Sequence, residues 1–196
     1  MAKILKYGIL EDIHTVRRIP VGKFWDVTLL ITPYTWLGPV FFFVTHFVLN
    51  LLKDQPSMAD RLYQSILFTI AVELTTVFHA FGHILSGKMV NSAMDELLIT
   101  TTRDVNLYQG DQSVVPGYVH LARSLGGPLF NLLVAGVCIF LSTKFSQGFA
   151  SDLLASLIGT NLFFGIGSFV PIPSVDGEVI WREILRPFLA RSQKKS

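Results

Sequence analysis

The sequence predicts an all-α polytopic membrane protein: about four transmembrane helices, a small β-hairpin after the second, and an amphipathic helix at the C-terminus. Composition is the first observation behind this. Of 196 residues, 51% are hydrophobic and only 15% are charged, against about 25% charged in an ordinary soluble domain. Patterning is the second, because apolar stretches near the ~20 residues needed to cross a bilayer recur between short polar or Gly/Pro breaks. Sixteen Phe suit a surface in contact with lipid.

Residues 1–26 read as a modestly basic tail (Lys3, Lys6, Arg17, Arg18 and Lys23 against Glu11, Asp12 and Asp26) that ends at the membrane interface on Trp25. No apolar run of signal-peptide length precedes Trp25, so no cleaved targeting segment is expected. The first span is expected over Val27 to Leu52, kinked at Gly38-Pro39, with His46 as a packed or snorkelling residue and not a ligand. A short loop, Lys53 to Arg61, leads to a second span from Leu62 to Leu85, which stops at Ser86-Gly87. Residues 88–123 form the long polar stretch. Its β-branched runs at 95–103 and 105–108 predict a hairpin within 94–109, and it is too short for a module of PDZ size. Gly126-Gly127-Pro128 opens a third span ending at Ser142, and the fourth runs from Leu153 to Val170, stopped by Pro171-Ile172-Pro173. Beyond it, Gly177 to Ala190 puts Val179, Ile180, Trp181, Ile184, Leu185, Phe188 and Leu189 on one helix face and Arg182, Glu183 and Arg186 on the other, the pattern of an interfacial helix. The whole chain, 1–196, reads as one membrane domain.

Charge sets the expected sidedness and partners. Four spans place both tails and the 86–123 loop on one side, which then carries all but three of the 16 Lys and Arg; by the positive-inside rule that side is cytoplasmic. The net charge of +2 is small and mostly terminal, which favours contact with anionic lipid and argues against nucleic acid. Lone Cys138 excludes an intrachain disulfide and a cysteine zinc site.

His79 and His83 are the chemically informative pair. Four residues apart on a helix, about 6 Å of rise, they lie on one face and can reach one metal ion. Two histidines leave a zinc site short of a ligand, and Asp176, after two prolines and before Gly177, is the candidate third; N-capping of the tail helix explains its position equally well. With the proposed topology, His79, His83, Gly126 to Asn131 and Pro171 to Asp176 all fall near one membrane depth on the cytoplasmic side. Gly126-Gly127-Pro128 also permits plain helix packing, with Asn131 as a bridge between helices.

Three stretches in order, His79-Ala-Phe-Gly-His83, Gly126-Gly-Pro-Leu-Phe-Asn131 and Asn161 to Gly177 with its Pro171-Ile-Pro-Ser-Val-Asp176-Gly177 end, resemble the signatures of the site-2 protease family of intramembrane zinc metalloproteases. The resemblance covers residues 62–177, between a first-span region (1–61) and an amphipathic tail (178–196). It implies a three-helix zinc-protease core, one Zn2+ held by His79, His83 and Asp176, and cleavage of transmembrane segments of other membrane proteins. It also implies that Asn131 lies near the zinc and holds substrate or the developing oxyanion, and that the strands after the histidine helix receive an extended substrate. Three departures qualify it. Ala80 stands where the family has its catalytic Glu, Ser168 where it has an asparagine, and Glu178 where a glycine often follows Asp-Gly. Glu73, about 10.5 Å of helix rise before Ala80, is too distant to replace the base. The resemblance thus implies a protease inactivated at Ala80, by deliberate exchange of the base, or a natural pseudoprotease that binds transmembrane helices without cutting them. A metal transporter is disfavoured, since one site near one face offers no path of ligands across four spans.

Overall fold

In the computed structural model, which describes residues 15–53 and 57–193, with side chains to 188, the order is β1 (Ile19–Phe24), β2 (Val27–Ile31), α1 (Leu37–Leu51), α2 (Met58–Met89), β3 (Glu96–Ile99), β4 (Asp104–Leu107), α3 (Gly117–Ser142), α4 (Phe149–Gly167) and α5 (Asp176–Gln193). The expected charges at Lys3, Lys6, Glu11 and Asp12 lie outside the described residues. Two compact units share the chain: one takes residues up to Glu73 plus Met94–Gln109, the other Leu74–Ala93 and everything from Gly110.

The first unit contains a four-stranded sheet in the order β1-β2-β3-β4. The expected hairpin is its β3–β4 half, antiparallel with Glu96 opposite Leu107 and Ile99 opposite Asp104. The other half corrects the expectation of an all-α chain. Residues 27–31, expected as the start of a span, form β2, paired in parallel with β3 from Thr28/Glu96 to Ile31/Ile99. A short apolar run has the same hydropathy in a buried strand as in a helix, and Val-Thr-Leu-Leu-Ile carries the β-branched residues that favour the strand. Trp25 (φ 46°) and Asp26 (φ 69°) make the two-residue turn between β1 and β2, both left-handed, as a type I′ hairpin requires.

Losing these residues to the sheet shortens the first helix. Gly38 and Pro39 fall in the first turn of α1 instead of kinking a span, and α1 is 15 residues long, about 22 Å against a ~30 Å hydrocarbon core. Among the described residues, three helices are long and apolar enough to cross a membrane, namely α2, α3 and α4; α1 is a shorter apolar companion. It packs on the first half of α2, where the His46 ring stacks on Phe68 at 4.3 Å and its Nδ1 lies 3.2 Å from the Ser65 hydroxyl. Of the two expected roles for His46, packed or snorkelling, these contacts are those of a packed residue.

In the second unit α2 runs past the expected stop at Ser86-Gly87 to Met89. Its end is a Schellman motif around left-handed Asn91 (φ 51°), with Ser92 N–H donating to Gly87 O at 2.8 Å and Asn91 N–H to Lys88 O at 3.0 Å. The third helix starts at Gly117, eleven residues before the expected opening, so Pro128 lies inside it; having no N–H, Pro128 leaves the Ser124 carbonyl without its usual helical donor. Bonding across an apolar interior joins α2 to α4: Asn161 Nδ2 donates to Thr75 Oγ1 at 2.9 Å, and the Thr75 and Thr160 hydroxyls are 2.8 Å apart. On α5 the exposed stripe Trp181, Ile184, Leu185 and Phe188 matches the expected interfacial face. Glu183 departs from it. Its carboxylate is nearly buried against Gly117 at the start of α3, with Arg182 and Arg186 donating to it at 3.1 and 3.3 Å.

Candidate metal centre

The centre is built where α2 and α3 cross at close range, Gly82 against Gly126. A Cβ on Gly82 would meet the Gly126 carbonyl and Phe130 Cβ, and one on Gly126 would meet Ser86 Oγ and the Gly82 carbonyl. Backbone contact of this kind needs small residues on both helices. Gly82 and Ser86 form a small-x-x-x-small pair on α2, a signal present in the sequence that histidine spacing alone passed over. The close approach sets Gly127 against the histidines, so a Cβ there would stand 2.5 Å from Nε2 of both His79 and His83.

Three ligand atoms converge in the resulting space. His79 Nε2 lies 3.0 Å from Asp176 Oδ2 and 3.0 Å from His83 Nε2, and His83 Nε2 lies 3.4 Å from Asp176 Oδ2. A tetrahedron with ~2.0–2.1 Å ligand bonds has edges of about 3.3 Å, so the donor set matches two imidazoles and a carboxylate around one zinc-sized ion. Residues elsewhere in the chain aim these donors. His83 Nδ1–H donates to the Arg123 carbonyl at 2.7 Å, which leaves Nε2 with its lone pair. The Arg123 guanidinium in turn holds the turn after α2, with Nε donating to Ser92 O at 2.6 Å and Nη1 to Gln112 Oε1 at 2.9 Å. Nothing in the local sequence marked Arg123, because its contribution to His83 is a backbone carbonyl.

Asp176 is both the first residue of α5 and the third member of the group. Burial disfavours its charge, but the adjacent His83 and His79 outweigh burial and hold the carboxyl well below the usual carboxylate range. Asn131 is fully buried on α3 with Nδ2 3.2 Å from His79 Nδ1, so it does bridge helices. Ala80 follows His79 on α2 and is 6% exposed. Ser168 is the buried C-cap of α4. The Glu178 carboxylate accepts the N–H of left-handed Ser174 at 2.8 Å, which ties it to the turn before Asp176. Glu73 is not among the gathered donors.

With three membrane-length helices and this arrangement, the chain has the fold of a site-2 protease. It superposes on the solved structure of the Site-2 Protease from Methanocaldococcus jannaschii with a TM-score of 0.62 and 20% sequence identity, over 86% of this chain and 72% of that one. No family model and no curated protein matches the sequence.

Proposed function

We propose that the chain is an intramembrane metalloprotease of the site-2 type whose catalytic base position is occupied by Ala80, so that it binds zinc and a transmembrane substrate but cuts poorly or not at all. The observation that carries this is the convergence of His79 Nε2, His83 Nε2 and Asp176 Oδ2 at 3.0–3.4 Å within a site-2 protease fold. Zinc bound there supplies a Lewis acid that lowers the pKa of water towards ~7. The chain's own part is to place the donors: α2 presents both imidazoles from one face, Arg123 O fixes His83, and α5 delivers the carboxylate. β4 is an edge strand of the sheet, the position at which an unwound substrate segment can add as a further strand.

Missing from this set is a group to take a proton from water and return it to the leaving amine, a service worth on the order of 10²–10⁴ in rate. Ala80→Glu is the direct test. In detergent or liposomes, with a panel of single-span substrates, the exchange is expected to raise cleavage by about 10²–10⁴ and a zinc chelator to abolish the gain. If zinc binds yet restoration yields no cleavage, the protease reading fails and a helix-binding relative takes its place.

A further inference from the structure

The contact between Asn131 and His79 has a second consequence, one that rests on the metal-site reading. A neutral imidazole carries one N–H and one lone pair, so a partner at Nδ1 decides which form Nε2 takes. With the Asn131 Nδ2 group facing Nδ1 at 3.2 Å, Nδ1 must accept, and the ring proton sits on Nε2, 3.0 Å from Asp176 Oδ2. A ring in that form cannot ligate through Nε2. A half-turn of the amide brings Oδ1, which among the described residues has no hydrogen-bond partner in its buried position, onto Nδ1–H and frees the Nε2 lone pair. The same half-turn gives up the Nδ2 contact to Nδ1, but a ligand bond to zinc outweighs one amide hydrogen bond.

We propose that Asn131 is the positioning residue for His79, its amide oxygen holding the ring proton on Nδ1 so that Nε2 presents its lone pair to the space shared with His83 and Asp176. The two histidines are then served differently. A backbone carbonyl only accepts, so Arg123 O commits His83 to one tautomer permanently. An amide serves either tautomer, so His79 is the ligand whose readiness for metal depends on a rotating side chain.

The test is zinc affinity, measured by competition with a chromophoric chelator on the purified full chain in detergent, for the parent, Asn131→Asp, Asn131→Leu and His79→Ala. Aspartate can only accept, which preserves the service in the form of a carboxylate–histidine–zinc triad; leucine has as many side-chain heavy atoms and offers no hydrogen bond. Asn131→Leu is expected to bind zinc about 10–100-fold more weakly and Asn131→Asp within a few-fold of the parent. In Co2+-loaded protein the visible band of a tetrahedral site should stay in place for Asn131→Asp and shift or weaken for Asn131→Leu. Parent-like affinity and an unshifted band in Asn131→Leu overturn the proposal, as does an Asn131→Asp that folds with parent-like thermal stability yet loses as much affinity as leucine. A parent that binds zinc no better than His79→Ala instead overturns the metal-site reading beneath it.

Discussion

Gly127 stands where one methyl group would decide whether a metal fits, since its Cβ would lie 2.5 Å from both imidazole Nε2 atoms. Those atoms are the tips of side chains and can swing aside, so the helices can tolerate alanine where the ligand geometry cannot. Gly127→Ala is therefore expected to fold with unchanged helix content, by circular dichroism, yet to bind zinc tenfold or more weakly, on the order expected when ligand orientation is lost; parent-like affinity would mean the donors do not share the space beside Gly127. At this scale the sequence was legible in part. His79, His83 and Asp176 announce themselves by residue type and order. Arg123 does not, because any residue there would supply the same carbonyl, and the link from Asn131 to His79 spans 52 residues that only helix crossing brings together.

Among the elements, α5 carries the clearest electrostatic signature. Burial works against the Glu183 carboxylate, and Arg182 and Arg186 more than compensate, which lowers its pKa below the ordinary value. A depressed folded pKa means stability that is fully present above the unfolded value of about 4.3 and lost as pH falls through the folded one. Melting temperature in detergent should accordingly decline as pH is taken below about 4.3, and Glu183→Gln should melt lower than the parent at neutral pH while showing less of this decline. Equal slopes for the two proteins would show that Glu183 does not link α5 to the start of α3. Helical periodicity assigned Glu183 to the polar outer face of α5; the observed burial follows from packing on Gly117, which periodicity within one helix cannot register. The boundary errors have comparable causes. Pro128 looked like a helix opening because proline favours that position, yet residues from Gly117 onward were helical enough, and anchored enough by Arg123, to start α3 eleven residues earlier.

For the molecule as a whole, the β2–β3 pairing constrains how the chain crosses the membrane. Parallel neighbours in register must lie at one level, so the chain that leaves the sheet after Ile31 returns to that level before Glu96. The excursion consists of α1 and α2, and α1 belongs to it despite being too short to register as a span. Cysteines introduced at Asp26 and Gln109, in a Cys138→Ala background, are therefore expected to react with an impermeant maleimide from one face of sealed vesicles. A cysteine at Lys53 should react from the other. Labelling of Lys53→Cys from the same face as Asp26→Cys would refute the out-and-back path.

By itself the sequence determined that this protein lives in a membrane, because composition and apolar run length report directly on the solvent a chain can tolerate. It also determined the metal-binding chemistry on offer, because imidazole pairs at helical spacing and a carboxylate after a helix stop are local features. It carried as well the identity of Ala80 beside His79, a fact of residue type alone. Only the tertiary structure decided that Val27–Ile31 is a strand, since a partner 68 residues away supplies its hydrogen bonds. Likewise, only the crossing of two glycine-faced helices brought Gly127 and Asn131 against the histidines, because contact between distant segments depends on which surfaces pack and no window of sequence contains both.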